Sequence, residues 1–140
     1  MKSKAHIEIG GGNSPSKEGY TQVDIRKFSC TDIVAPAWKL PIPRDSILSI
    51  FGRHVLEHFT RQQASDALCE WHRVLRVSGE IIMTVPDLEY HARQLLNNPD
   101  GPSPRLPEHT NREHAMAGFY GWAPGAMAHQ WGYTETTLQR

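Results

Sequence analysis

Apolar residues fall along the chain in short runs of the kind that form buried β-strands. Ala5, Ile7 and Ile9 alternate with polar residues, and the later runs are nearly continuous. Continuous apolar runs are typical of strands buried on both faces of a parallel sheet. The predicted strands are residues 5–9, 20–25, 32–34, 46–51 and 81–85. The last of these is the clearest strand, because it is rich in β-branched residues and stops at Pro86.

Helical periodicity is clearest between the fourth and fifth predicted strands. Thr60 and Gln63 form a capping-box pattern, apolar residues then repeat at helical spacing as far as Leu75, and Gly79 marks the predicted end. A shorter helix is predicted from Asp87 to Leu96. Strands that alternate with helices favour an α/β fold with a doubly wound, mostly parallel sheet of about five strands.

The pattern changes after residue 96. Residues 97–130 contain five prolines, four glycines and three histidines, with one short helix predicted to open at Thr110, where Glu113 completes a capping box. A long irregular segment in a compact domain is usually functional or mobile. We interpret residues 1–96 as an α/β core and residues 97–140 as a substrate or lid segment of the same domain, which ends in the start of a helix at Thr134.

Composition restricts the class of protein. The chain has 140 residues, 39% of them apolar, and 15 basic residues balance 15 acidic ones. This suits one globular domain and disfavours binding to nucleic acid or to an anionic membrane. The amino-terminal residues contain no long apolar stretch, so a cytoplasmic protein is expected. Cys30 and Cys69 lie far apart and indicate neither a disulfide nor a cysteine zinc site.

The first candidate site is a glycine turn with an acidic partner. Gly10, Gly11 and Gly12 end the first predicted strand, and Asp24 ends the second. Glycines let the backbone approach a nucleotide ligand, and a carboxylate after the next strand can accept bonds from both ribose hydroxyls. A dinucleotide site would need a further glycine where Pro15 stands, and a helix amino terminus for the pyrophosphate. The sequence therefore favours a nucleoside ligand without phosphates.

Six short motifs occur in an order and at intervals that are known from one enzyme family. They are IEIGGGN (7–13), YTQVDI (20–25), LPIP (40–43), HVLEHF (54–59), EWHRVL (70–75) and VPDL (85–88). Over residues 5–96 the chain resembles class I S-adenosylmethionine-dependent methyltransferases of the methyltransferase type 11 kind. This resemblance implies a Rossmann-like fold with S-adenosylmethionine as cofactor and S-adenosylhomocysteine as product.

The resemblance also implies roles for individual residues. Glu8 and the glycine turn would line the methionine end of the cofactor, Asp24 would hold the ribose and Ile25 would cover the adenine. The implied cofactor-binding residues are Glu8, Gly10, Gly11, Gly12, Asp24, Ile25, Ala37, Trp38 and Leu40. Pro36 departs from the family because an aspartate usually accepts there from the adenine amino group. Losing that bond costs about 1.5 to 3 kcal/mol, which weakens binding without abolishing it.

Two histidines are the catalytic candidates under this resemblance. His54 follows the fourth strand, where the acceptor faces the methyl donor in such enzymes, and is the first candidate for a general base. His58 is the second, with the alternative that it only fixes the loop before the next helix. No metal site is predicted, because the spacing of His109, His114 and His129 matches no familiar zinc pattern.

We expect methyl transfer to a small-molecule or glycan-like acceptor. The aromatic-proline tetrapeptide of methyltransferases that act on adenine or glutamine nitrogens is absent after the fourth strand. The alternatives are a catalytically silent methyltransferase-like module, an interaction protein that uses the His- and Trp-containing tail, and, least favoured, a dinucleotide oxidoreductase. Such methyltransferases usually add two strands beyond the fifth, and the chain is expected to be truncated before them. Either a homodimer or swapped partner completes the sheet edge, or these residues belong to a truncated product.

Overall fold

A computed structural model describes residues 5–122 and 128–138. The strands are β1 His6–Ile9, β2 Thr21–Asp24, β3 Ile33–Val34, β4 Ile47–Arg53 and β5 Leu75–Thr84. The helices are α1 Arg61–Val74, α2 Leu88–Asn97, α3 Asn111–Tyr120 and α4 Glu135–Leu138, and a short 3₁₀ turn spans Leu56–His58. The chain forms two compact units, one from the described parts of 1–55 and 61–84 and the other from those of 56–60 and 85–140.

The first unit is built around a parallel sheet with the strand order β3-β2-β1-β4-β5. Its centre is apolar: Ile7, Val23 and Ile50 are 1% exposed or less. The chain moves outward in one direction from β1 to β3 and in the other through β4 to β5, so β1 and β4 flank the point where the strand order reverses. Ligands of open α/β sheets bind outside the carboxyl ends of the strands at such a point. The predicted α/β fold is confirmed.

The connection between α1 and β5 differs from the prediction. The helix ends at Val74 rather than near Gly79, and β5 follows at once. The ladder with β4 skips from Leu75 to Glu80, so the intervening residues bulge outward, with Ser78 in the left-handed region at φ 65°. The start of β5 is therefore set by its pairing with β4, which a pattern of apolar residues does not reveal.

The apolar run of the fifth strand is typical of a strand buried on both faces, but its side chains are partly exposed, as is expected of an unpaired sheet edge. Ile81 and Ile82, whose side chains point to opposite faces, are 40% and 39% exposed. Among the residues that the structure describes, this strand lies at the edge of the sheet and pairs with β4 alone. Burial at an edge needs a further layer or chain.

The second unit is dominated by α2 packed against α3. Asp87 caps α2 by accepting from the N–H of Glu89, and Thr110 and Glu113 form the predicted capping box of α3. The structure groups α2 with α3, so the units divide earlier than residue 96. The division of a single domain into an α/β core and a substrate or lid segment at that residue stays a prediction. None of the described helices has the length and apolar character needed to cross a membrane.

Candidate functional site

Gly10 stands directly after β1, at the point where the strand order reverses. Its φ is 71°, and a Cβ there would lie 2.6 Å from Cγ2 of Val55, which follows β4. Only glycine allows both this backbone conformation and this close approach. Gly10 thus lets the carboxyl ends of the two central strands pack closely together.

Gln22 of β2 holds the rest of the glycine turn. Its Nε2 atom donates to the carbonyl oxygens of Gly12 at 3.0 Å and Ser14 at 3.3 Å, and the residue is fully buried. A Cβ on Gly11 would lie 2.0 Å from that nitrogen. Sequence reasoning missed this residue. The available signal was a polar side chain within a strand that runs next to a glycine turn.

Asp24 at the end of β2 holds the turn from the other side. Its Oδ2 atom accepts from the backbone N–H of Gly12 at 3.1 Å, and its Oδ1 atom accepts from the N–H of Arg26 at 2.8 Å. The residue is 6% exposed. A carboxylate offers about four lone-pair sites, so two backbone donors leave acceptor capacity for hydroxyl groups. The structure therefore joins the predicted ribose acceptor to the predicted glycine turn.

The space beside Gly12 fits the nucleoside part of the implied cofactor. Gly12 has φ 61°, and a Cβ on it would meet no atom within 4 Å. Ile25, next to Asp24, is 59% exposed although its side chain is apolar. An open space, a carboxylate and an accessible apolar side chain are the groups that a ribose with an attached adenine requires. The residues present therefore fit S-adenosylmethionine at this end.

Glu8 of β1 supports the loop that follows the glycine turn. Its Oε2 atom accepts from the backbone N–H of Lys17 at 2.8 Å, and the residue is 5% exposed. The ammonium group of Lys17 lies 5.0 Å from the centroid of the Tyr20 ring, which is cation-π distance. Glu8 thus orders this loop, and its contact with the methionine end of a cofactor stays a prediction.

The segment expected to wrap the adenine is attached to α1. The Ala37 carbonyl accepts from Nε1 of Trp71 at 3.0 Å, and the Leu40 N–H donates to Oε1 of Glu70 at 2.7 Å. Arg73 donates to both carboxylate oxygens of Glu70 at 2.7 Å, which holds the pKa of that carboxyl below its usual range.

Trp38 lies in the same segment and lines an open cleft together with Asp66 and Cys69 of α1. Ala37 and Leu40 are buried. The structure thus places the backbone of this segment against the helix, and its role in adenine binding stays a prediction.

His54 is the first residue after β4 and belongs to the same unit as the glycine turn. It is exposed, its N–H donates to the Thr84 carbonyl at 2.9 Å, and its φ is 55°. Non-glycine residues in the left-handed region are uncommon and often mark sites where geometry serves function. Its neighbour Val55 contacts Gly10, which places His54 at the reversal point of the sheet.

His58, the other catalytic candidate, belongs to the second unit. Its Nδ1 atom lies 3.3 Å from the Ala128 carbonyl oxygen, and its ring centroid is 5.1 Å from that of His129. One ligand atom each from Glu57, His58 and His129 lies within 4.8 Å of the others, which gives a group able to hold a metal ion. Sequence spacing did not reveal this cluster, because its members come from distant parts of the chain.

Comparison with known proteins agrees with this geometry. The sequence profile of the family described as "Methyltransferase domain" matches residues 13–83, just over half of the chain. No curated protein matches the chain significantly. Among solved structures, the chain is similar to the PH0226 protein from Pyrococcus horikoshii OT3, with 20% sequence identity and a TM-score of 0.51.

That alignment covers 64% of this chain and 49% of the PH0226 chain, so this chain spans about half the length of that protein. At such low identity the likeness shows the fold alone. The family profile, by contrast, matches the sequence itself, and the matched range includes Asp24, Ile25 and His54. With its parallel five-stranded sheet, its glycine turn and the profile match, the chain belongs to the methyltransferase domain family of class I S-adenosylmethionine-dependent methyltransferases.

Proposed function

We propose that this chain binds S-adenosylmethionine at the glycine turn and transfers its methyl group to a small-molecule or glycan-like acceptor. The main support is the hydrogen bond from the Gly12 N–H to the Asp24 carboxylate, which lies beside open space and the exposed Ile25. When bound, S-adenosylmethionine supplies a methyl group on a positively charged sulfur, which a nucleophile can take by direct displacement.

The residues at the glycine turn contact different parts of the cofactor. Asp24 accepts hydrogen bonds from ribose hydroxyls with the lone pairs that the backbone donors leave, and Ile25 covers an apolar ring. Gly12 leaves its side of the turn open to the ligand. Direct displacement depends mainly on alignment of the reacting groups, so a turn fixed by Gln22 and Asp24 supports it through rigidity.

His54 would supply the one proton transfer that some acceptors need. A hydroxyl or protonated amine must lose a proton to become a nucleophile, and an imidazole can accept it near neutral pH. The exposed position of His54 at the reversal point supports this role. The missing aromatic-proline tetrapeptide after β4 supports an acceptor other than a nucleobase or amide nitrogen.

The sheet edge supports a further part of the proposal. Val77, Ile81 and Ile82 of β5 are 94%, 40% and 39% exposed, and β5 is an edge strand. Exposed apolar edges favour pairing with another strand. We therefore expect a second copy or a swapped segment to complete the sheet, and light scattering at rising protein concentration, with Ile82→Lys as the comparison, tests this.

Calorimetric titration with S-adenosylhomocysteine tests the cofactor site. Wild-type protein should bind one equivalent. Asp24→Ala should lower the affinity about 100-fold or more through the lost bonds to two hydroxyls. Ile25→Ser should lower it about tenfold through lost apolar contact, and since Ile25 is exposed this variant keeps the fold intact. Glu89→Ala removes an exposed carboxylate of α2, so it is the matched control and should bind as wild type does.

The outcomes separate this proposal from its rivals. Absence of binding by folded wild-type chain would favour a silent module or an interaction protein. Tight binding of a nicotinamide dinucleotide instead would favour the oxidoreductase. Binding of S-adenosylhomocysteine that Ile25→Ser weakens would justify a screen of hydroxylated small molecules and glycans for methyl transfer.

A further inference from the structure

A buried carboxylate and two histidines meet in the second unit. Glu57 is 1% exposed, whereas His58 and His129 are partly exposed. One ligand atom of each residue lies within 4.8 Å of the other two. Two imidazoles and one carboxylate form a ligand set typical of zinc sites that keep a coordination position for water or another ligand.

The hydrogen bonds of both rings prepare them for such binding. His129 Nδ1 lies 2.9 Å from the Gly118 carbonyl oxygen, and His58 Nδ1 lies 3.3 Å from that of Ala128. A carbonyl oxygen only accepts, so Nδ1 carries a proton in both rings, and in the neutral form of each ring Nε2 is the nitrogen that can bind a metal ion. Histidines that bind metals usually donate their other ring N–H to a carbonyl or carboxylate in this way, which fixes tautomer and orientation.

The backbone fixes the two halves of the cluster relative to each other. The Glu57 carbonyl accepts from the N–H of Gln130 at 2.7 Å and from that of Trp131 at 3.2 Å. These bonds tie the residues next to His129 to the 3₁₀ turn that contains Glu57 and His58. The cluster is therefore built by main-chain contacts within one unit.

We propose that Glu57, His58 and His129 bind a Zn²⁺ ion. Imidazole and carboxylate together suit zinc better than magnesium or calcium, which prefer oxygen ligands alone. A tetrahedral zinc ion holds its ligand atoms about 3.4 Å apart, so binding draws the three side chains inward. The cation also stabilises the buried charge of Glu57. His58, predicted above as a possible base, is then a metal ligand.

Zinc titration of chelator-stripped protein tests this proposal without any measurement of methyl transfer. Competition with a chromophoric chelator should show one Zn²⁺ per chain. Glu57→Gln and His129→Gln should each lower the affinity at least 100-fold, since loss of an outer hydrogen-bond partner alone costs about 10- to 100-fold. His72→Gln, on the exposed surface of α1, should leave the affinity unchanged.

Histidine NMR of wild-type protein gives a test that does not depend on the variants folding. Of the eight histidines, two should be Nδ1–H tautomers whose Nε2 signals shift on addition of Zn²⁺. Cobalt in place of zinc should give the intense visible absorption of a tetrahedral ion. Failure to bind, zinc binding that survives in both cluster variants, or shifts confined to other histidines would overturn the proposal.

Discussion

The Asp24 carboxylate and the Gly12 backbone N–H are joined by a 3.1 Å hydrogen bond. The residue predicted to hold a ribose therefore also holds the turn against which the ribose would lie. Binding and local stability are linked at this position, and a variant of Asp24 changes both. This linkage is why the exposed Ile25 gives the cleaner test of ligand contact.

The stability effect of Asp24 can be measured directly. Asp24→Ala removes the acceptor for the N–H groups of Gly12 and Arg26, and we expect the free energy of unfolding to fall by about 2 kcal/mol because both donors lose their partner. Asp24→Asn keeps one acceptor oxygen and should lose about half as much. Urea denaturation measures both, with Asp66→Ala expected to stay within about 0.5 kcal/mol of wild type.

The glycines of the turn should differ in their tolerance of a side chain. Gly10→Ala places a methyl group 2.6 Å from the Val55 side chain at a positive φ, and should destabilise by about 2 to 4 kcal/mol. Gly12→Ala meets no neighbour within 4 Å and should cost only about 1 to 2 kcal/mol. Its methyl group enters the open space, so it should weaken S-adenosylhomocysteine binding more than Gly10→Ala does.

A double-mutant cycle separates crowding from backbone strain at Gly10. Val55→Ala in the Gly10→Ala background should recover about 1 to 3 kcal/mol relative to the sum of the single variants. Strictly additive unfolding free energies would mean that the contact with Val55 does not explain why glycine is needed.

Glu70 of α1 should hold the segment of Ala37 to Leu40 in place through its direct hydrogen bond to Leu40. Glu70→Ala removes the acceptor of the Leu40 N–H and the partner of Arg73, and should destabilise by about 2 to 3 kcal/mol. The exposed pair of Arg93 and Glu89 offers a control, since Arg93→Ala should leave the free energy of unfolding nearly unchanged.

The same carboxyl should respond to pH. The pKa of Glu70 lies below 4.5 because Arg73 bonds to the charged form. A lowered carboxyl pKa adds stability that is present above pH 4.5 and is lost as pH falls through the folded-state pKa. The stability difference between wild type and Glu70→Gln should therefore shrink in acid. A constant difference would show that the ion pair contributes little.

Sequence patterns predicted the features that depend on neighbouring residues. The capping box of Thr110 and Glu113 is local and was predicted, and the start of α2 was predicted to within one residue. The order of strands and helices also followed, because apolar runs and helical periodicity are local signals. The glycine turn and Asp24 could be predicted in the same way, since both lie at the ends of strands.

The features that were missed depend on contacts between distant residues. The bulge before Glu80 exists because β5 takes its register from β4. Gln22 becomes part of the site only where β2 lies beside the turn. His58 and His129 meet through backbone bonds between the 3₁₀ turn and a late segment, which spacing in the sequence does not encode.

Buried His91 should make stability depend on pH in mild acid. Burial, followed by the charge of His114 and then that of Arg105, lowers the pKa of His91 from 6.5 to about 4, although Asp87 acts in the opposite direction. The unfolded chain then binds more protons between these values, so stability is complete above pH 6.5 and falls by up to about 3 kcal/mol towards pH 4. The lowered pKa of His114 acts in the same direction.

Denaturant unfolding between pH 4 and 7 checks this dependence. His91→Gln should reduce the slope of unfolding free energy against pH by about one proton. His72→Gln, exposed on α1, should keep the wild-type slope. An unchanged slope in His91→Gln would place the acid sensitivity elsewhere in the chain.

Because His54 has a left-handed backbone conformation, variants at this position can test its structural role separately from its chemical role. At φ 55° glycine and asparagine are better accommodated than other residues, so His54→Gly and His54→Asn should fold with equal or higher stability, by up to about 1 kcal/mol. If the imidazole is the base, both variants should bind S-adenosylhomocysteine as wild type does and yet transfer methyl groups to a hydroxyl acceptor about 10² to 10⁴ times more slowly. Calorimetry checks the binding of S-adenosylhomocysteine, and initial rates with one acceptor check methyl transfer. Equal rates in wild type and His54→Asn would assign His54 to geometry alone.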